Sequence, residues 1–224
     1  MNGLYLFFLF NLFLLQCNSS KDTKDDEYCD RIVSKIDQLF LDYYKVDLDG
    51  GHNQIDSALY LVDSILFRCE KYNTVMIFNK IMFLSMKNEF SEVVNFIESL
   101  DKTYLLNQTI LLNRFKAMQA QSEGDMITRD KLIKEIVTEL TDSISKHHAE
   151  IDSILCLSDI KEITGNKNIL TVYQYYYYRA QIEGVGKISD ELDSIQEKRN
   201  INRYFFDNFL KPTIYNDFMV YSGI

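Results

Sequence analysis

Proline occurs once in the 224 residues, at Pro212, and glycine eight times. Turns draw heavily on both, so their scarcity excludes a sandwich or barrel of many short strands and leaves long helices joined by short connections. Tryptophan is absent, and 15 Tyr and 15 Phe supply the aromatic mass that must fill a core or a groove. Positive charge is in deficit: 24 Lys and Arg stand against 33 Asp and Glu, a net charge of −9. An acidic surface repels phosphate backbones and argues against nucleic acid as a partner. No apolar run reaches the roughly 20 residues that cross a bilayer as a helix. Nucleophile elbow, phosphate loop, dinucleotide fingerprint and metal-spaced acid cluster are all missing, so the sequence points to no enzyme and to no cofactor or metal. His147 and His148 are adjacent, about 100° apart on a helix, and His52 lies in a turn. These histidines read as polar residues at hairpin junctions.

What is present is helical periodicity. Ile55, Ala58, Leu59, Val62, Ile65, Leu66 and Cys69 fall on one helix face, with Asp56, Asp63 and Glu70 on the other. Leu132, Ile133, Ile136, Val137, Leu140 and Ile144 make a second stripe, backed by Lys131, Lys134, Glu135, Glu139 and Asp142. The period predicts helices over 26–48, 54–72, 74–87, 90–101, 105–122, 126–146, 149–164, 167–183, 188–210 and 213–220. Ser91, Thr128, Ser189 and Thr213 stand near helix starts as caps. Turn residues Gly51, Asn88, Gly124 and Gly165 follow one another at steps of 37, 36 and 41 residues. A helix pair at a near-fixed step is the pattern of an α-solenoid. After Gly184 and Gly186 the pattern breaks, which predicts a capping helix region at the C-terminus.

The first residues have a different character. Leu4 to Leu15 is apolar apart from Asn11 and ends in Leu14-Leu15-Gln16-Cys17. This stretch resembles the lipobox of bacterial lipoproteins. That resemblance implies a signal peptide over 1–16, removed on export, and acylation of Cys17 by palmitate-type chains. Residues 17–27 are too polar to pack and read as an acidic tether. Within them Lys24-Asp25-Asp26 is similar to the surface-export signal of Bacteroidetes lipoproteins, which implies an outer-membrane protein on its periplasmic or surface face. The alternatives for the same leader are ordinary cleavage with release of a soluble protein, and an uncleaved anchor.

One stretch of the body, Met86 to Leu100, resembles the turn and second helix of a tetratricopeptide repeat. Asn88 stands at the turn, Phe90 matches the aromatic after it, Val93 occupies the small-residue position, and Ile97 and Leu100 continue the inner face. Thirty-five residues earlier, Asn53, Ile55, Ala58, Val62 and Ile65 repeat the pattern. The unit at Gly124 keeps the turn but carries Arg129 near the small position. The resemblance implies an all-α solenoid of helical hairpins over 28–224 that binds a protein or peptide in its groove. The alternative function is a surface lipoprotein that holds a glycan or small molecule.

Cys29, Cys69 and Cys156 have no metal-type spacing. Cys29 opens the first helix and Cys69 ends the second, 22 and 18 residues from the turn at Gly51. They can approach and bond in an oxidising compartment, or pack as two small apolar residues. Cys156, between Leu155 and Leu157, is expected in the core. In the run from Tyr173 to Tyr178, Tyr173, Tyr176 and Tyr177 share a face with Ile169 and Ala180. Tyr175 and Tyr178 lie elsewhere, either packed or lining a partner groove.

Overall fold

The computed structural model describes residues 24–45, 52–105, 107–157, 162–163, 166–198 and 202–212. The expected leader 1–16, Cys17 and the expected helix 213–220 lie outside the described residues. Every regular element among those described is helical. In chain order they are α1 (Lys24–Lys45), α2 (His52–Ile65), α3 (Asn73–Met86), α4 (Phe90–Ser99), α5 (Gln108–Ser122), α6 (Met126–Lys146), α7 (His148–Leu155), α8 (Lys167–Glu183), α9 (Val185–Lys198) and α10 (Arg203–Phe205). A short 3-10 turn, Glu70–Tyr72, precedes α3, and a π turn, Phe206–Leu210, extends α10. The chain divides into two compact units, one up to Gln108 and one from Thr109 onward.

In the unit up to Gln108, α1 packs on α2, α2 on α3 and α3 on α4. The core gathers Ile36 from α1, Ile55, Ala58, Val62 and Ile65 from α2, and Met76 and Phe83 from α3. The α2 stripe is buried because its side chains recur every three to four residues along one face. The outer carboxylates of α2 are used as well: Asp56 pairs with Lys87 at 2.8 Å and Asp63 with Lys80 at 2.7 Å. The repeat positions read from sequence coincide in burial. Ile55, Ala58, Val62 and Ile65 are buried, and so, 35 residues on, are Val93, Ile97 and Leu100.

Helix ends follow local rules. Asn88 and Gly124 adopt left-handed φ of 58° and 79°. Glu89 N–H then donates to the Leu84 carbonyl and Asp125 N–H to the Ala120 carbonyl, the Schellman closure that satisfies the last carbonyls of a helix. The caps differ from expectation. Asp125, not Thr128, caps α6, its carboxylate accepting the Thr128 N–H at 3.0 Å. Asn166 caps α8 and Asn202 caps α10 in the same way. Thr128 is the third helical residue, whose free N–H is what a cap satisfies. Ser189 lies inside α9, which starts at Val185.

The unit from Thr109 holds two clusters that share α8. One joins Ile110 and Ala117 of α5, Ile133, Ile136 and Leu140 of α6, and Tyr177 and Tyr178 of α8. The other joins Ile151, Ile154 and Leu155 of α7, Ile169, Val172 and Ala180 of α8, Ile188 and Leu192 of α9, and Phe205, Phe206 and Leu210 of the C-terminal turn. The expected single helix 149–164 ends at Leu155, and the expected 188–210 is two elements. Asn202 ties the second of these down: its N–H donates to the Leu155 carbonyl at 2.9 Å and its side-chain amide to that of Leu157 at 2.8 Å. Cys156 is exposed. It is the residue that ends α7, where the chain turns away from the core between its two apolar neighbours.

Candidate functional site

Cys29 and Cys69 are joined in a disulfide, their Cα atoms 5.9 Å apart. The bond links the start of α1 to the end of α2, and polar contacts gather around it. Lys71 pairs with Asp30 at 2.8 Å and with Asp26 at 3.7 Å, and the Tyr72 hydroxyl donates to Asp30 at 2.6 Å. The ammonium of Lys71, then the Tyr72 hydroxyl, hold the Asp30 carboxyl below its ordinary range. Arg68 lies 5.0 Å over the Tyr28 ring, with Arg31 at 5.8 Å from the same ring.

Between α2 and this corner the chain makes a strained turn. Phe67 takes φ 63°, a left-handed conformation that costs an L-residue about 1–2 kcal/mol. The turn persists because the Phe67 N–H donates to the buried Asn73 side chain at 2.8 Å. Phe67 itself is 51% exposed, and its ring meets Tyr104 edge-on, centroids 5.5 Å apart.

The tyrosine run is split between the two clusters of its unit. Tyr173 and Tyr176 pack on the α7–α8–α9 side with Ile169 and Ala180, whereas Tyr177, expected on the same face, packs in the other cluster. Tyr178 is 5% exposed and packs with Tyr177 against α5 and α6, and Tyr175 leans on the same cluster half-buried. The face carrying Tyr175 and Tyr178, one alternative for an open groove, is therefore covered at Tyr178, because α8 is buried on two sides. Tyr175 accepts a hydrogen bond from Arg179 at 3.2 Å and lies under its guanidinium at 5.2 Å. Arg179 also grips Glu183 at 2.5 Å and Glu191 of α9 at 2.8 Å. Arg179, then Lys187, depress the Glu183 carboxyl to about 2, and the same carboxylates raise the guanidinium of Arg179. The residues that clamp α8 to α9 escaped the sequence reading. Arg179 and Glu183 are legible as an i, i+4 pair, but the third partner, Glu191, comes from the next helix.

A cleft opens beside this cluster, lined by Arg114, Met118 and Gln121 of α5, Arg129 of α6, and Tyr177, Tyr178 and Gln181 of α8. Its space, about 20 Å³, holds about one water molecule. Arg129, at the small-residue position, reaches across to α8: it donates to the Gln181 side chain at 3.1 Å and pairs with Asp130 at 2.7 Å. Its Nε is buried without a hydrogen-bond partner.

His147 and His148 are exposed and pair with Glu150 and Asp152 at 3.6 and 3.3 Å. Among the described residues, no three His, Cys, Asp or Glu converge as metal ligands, and no helix is long and apolar enough to cross a membrane. No protein-family model matches the chain, and neither a curated protein nor a solved structure matches it.

Proposed function

We propose that this protein is a lipid-anchored scaffold of the bacterial envelope: its leader is removed, Cys17 is acylated, and a degenerate tetratricopeptide-like solenoid presents a groove to a protein or peptide. The observation that carries the solenoid reading is the recurrence of burial. The positions two, five, nine and twelve residues after Asn53 are buried, and those five, nine and twelve after Asn88 are buried again. The anchor reading rests on Leu14-Leu15-Gln16-Cys17. It is supported by a disulfide, which persists in an oxidising compartment and is uncommon in a reducing one. The reading assigns no catalytic activity.

The rival reading, a surface lipoprotein that holds a glycan or small molecule, requires a cavity. The cleft at Tyr177 and Tyr178 holds about one water, too little for a sugar ring, and this favours a broad partner surface.

Two experiments test the proposal. In cell fractionation, the wild-type chain stays with the membrane and Cys17→Ala moves to the soluble envelope fraction. A variant that stays membrane-bound contradicts the anchor. With the purified full chain as bait for solubilised envelope, one protein is retained by the wild type and less of it by Tyr175→Ala, the half-exposed tyrosine. A co-purifying saccharide and no protein would favour the rival.

A further inference from the structure

The turn between α2 and α3 carries an aromatic pair that the core does not use. We propose that Phe67, with Tyr104 edge-on to it, is a second membrane contact, lying in the interface of the bilayer that holds the acyl chains of Cys17; this rests on the lipid-anchor reading above.

Position supports it. Helix α1 opens at Lys24, only seven positions after Cys17, a reach of at most about 25 Å. The entry to α1 is bound directly to the Phe67 turn by the Cys29–Cys69 disulfide and the Lys71–Asp30 pair. An anchored chain therefore keeps this corner of its unit within reach of the lipid. Chemistry supports it too. Bilayer interfaces hold amphipathic aromatic rings beside basic side chains whose apolar stems lie along them. Here a half-exposed Phe67, edge-on to Tyr104, precedes Arg68 in the chain, and Arg68 and Arg31 lie over the neighbouring Tyr28 ring. Charge allows the approach. Arg31, Arg68 and Lys71 nearly balance Asp26, Glu27, Asp30 and Glu70 at this corner, whereas the whole chain carries −9. A near-neutral corner needs no anionic lipid, so neutral phosphatidylcholine suffices. Backbone strain points the same way: a φ of 63° favours glycine or asparagine, and a large ring there has a use outside the fold.

The chain contains no tryptophan, so a single introduced indole is an unambiguous reporter. Full-length, acylated Phe67→Trp is reconstituted in phosphatidylcholine vesicles with and without bromine on the acyl chains. Asn53→Trp is the control, 14 residues earlier and about 20 Å along α2, beyond the roughly 5–10 Å depth of an interfacial contact. Tyr104→Trp is the second reporter should Phe67→Trp disturb the turn. Bromolipid should quench Phe67→Trp and Tyr104→Trp by roughly half, as expected for rings at the acyl boundary, and leave Asn53→Trp unchanged. Vesicles that carry the protein on flotation but quench neither reporter overturn the contact while leaving the anchor standing, as does equal quenching at all three positions. A wild-type chain that fails to float with vesicles overturns both.

Discussion

At the scale of single residues, conformation at three glycines decides the sign of a substitution. Gly124 holds φ 79° with nothing within 4 Å of where a methyl group would stand, so Gly124→Ala meets only backbone strain. It should lower the unfolding free energy by about 1–2 kcal/mol. Gly186 lies in α9 with open space around it and no left-handed φ. Gly186→Ala should raise stability by about 0.5–1 kcal/mol. Urea unfolding of the two variants reads both signs, and the same sign for both would contradict the assignment. Gly184, at φ 93°, belongs with Gly124. The turn at Gly124 was legible because glycine and a following Asp-Met step break a helical period. Phe67 was not legible. Nothing in its type announces a left-handed residue, and the Asn73 side chain that holds it comes from six residues further on. Cys156 shows the converse: two apolar neighbours suggest a core position, and a helix end between them turns the thiol outward.

At the scale of elements, two fastenings lend themselves to measurement. The Cys29–Cys69 bond closes a loop with a sequence separation of 40. On chain-entropy grounds the double variant Cys29→Ser/Cys69→Ser should lose up to about 4 kcal/mol; an unchanged urea midpoint would contradict this. The second fastening is Arg179 between Glu183 and Glu191. Glu183 titrates at about 2 in the folded chain against 4.5 for the free side chain. A depressed carboxyl stabilises the fold above the unfolded value and loses that contribution as the pH falls through the folded one. The contribution of Glu183, through its pairs with Arg179 and with Lys187 of α9, is therefore fully present above pH 4.5 and is lost as the pH falls toward 2. Glu183→Gln should flatten the fall in stability over that interval, which thermal melts across the pH series would read. Helix periods made most elements readable, since the stripes of α2, α6 and α8 recur every three to four residues. The faces of α8 were harder, because a helix between two clusters buries Tyr178 as well as Ala180. Sequence period reports which residues share a face, and not whether the other face is also covered.

At the scale of the whole molecule, the all-helical body was legible from the scarcity of proline and glycine together with the repeating stripes. The division at Gln108 was not. A regular turn spacing runs on past it, from Asn88 to Gly124, while the pattern inside the unit changes: Arg129 replaces the small residue found as Ala58 and Val93, and bonds α8 through Gln181. Met126 is exposed where Ile55 is buried, although Ile133 and Ile136, nine and twelve residues after Gly124, keep their places in the core. The burial after Gly124 thus departs from that after Asn53 at the helix start and agrees with it further along. The proposed function depends on where the body is held. The mature N-terminus tests that most directly. Mass spectrometry of the protein isolated from membranes should find Cys17 as the first residue, carrying acyl chains, and no peptide from residues 1–16. An unmodified Cys17 within a chain that retains the leader would contradict the account.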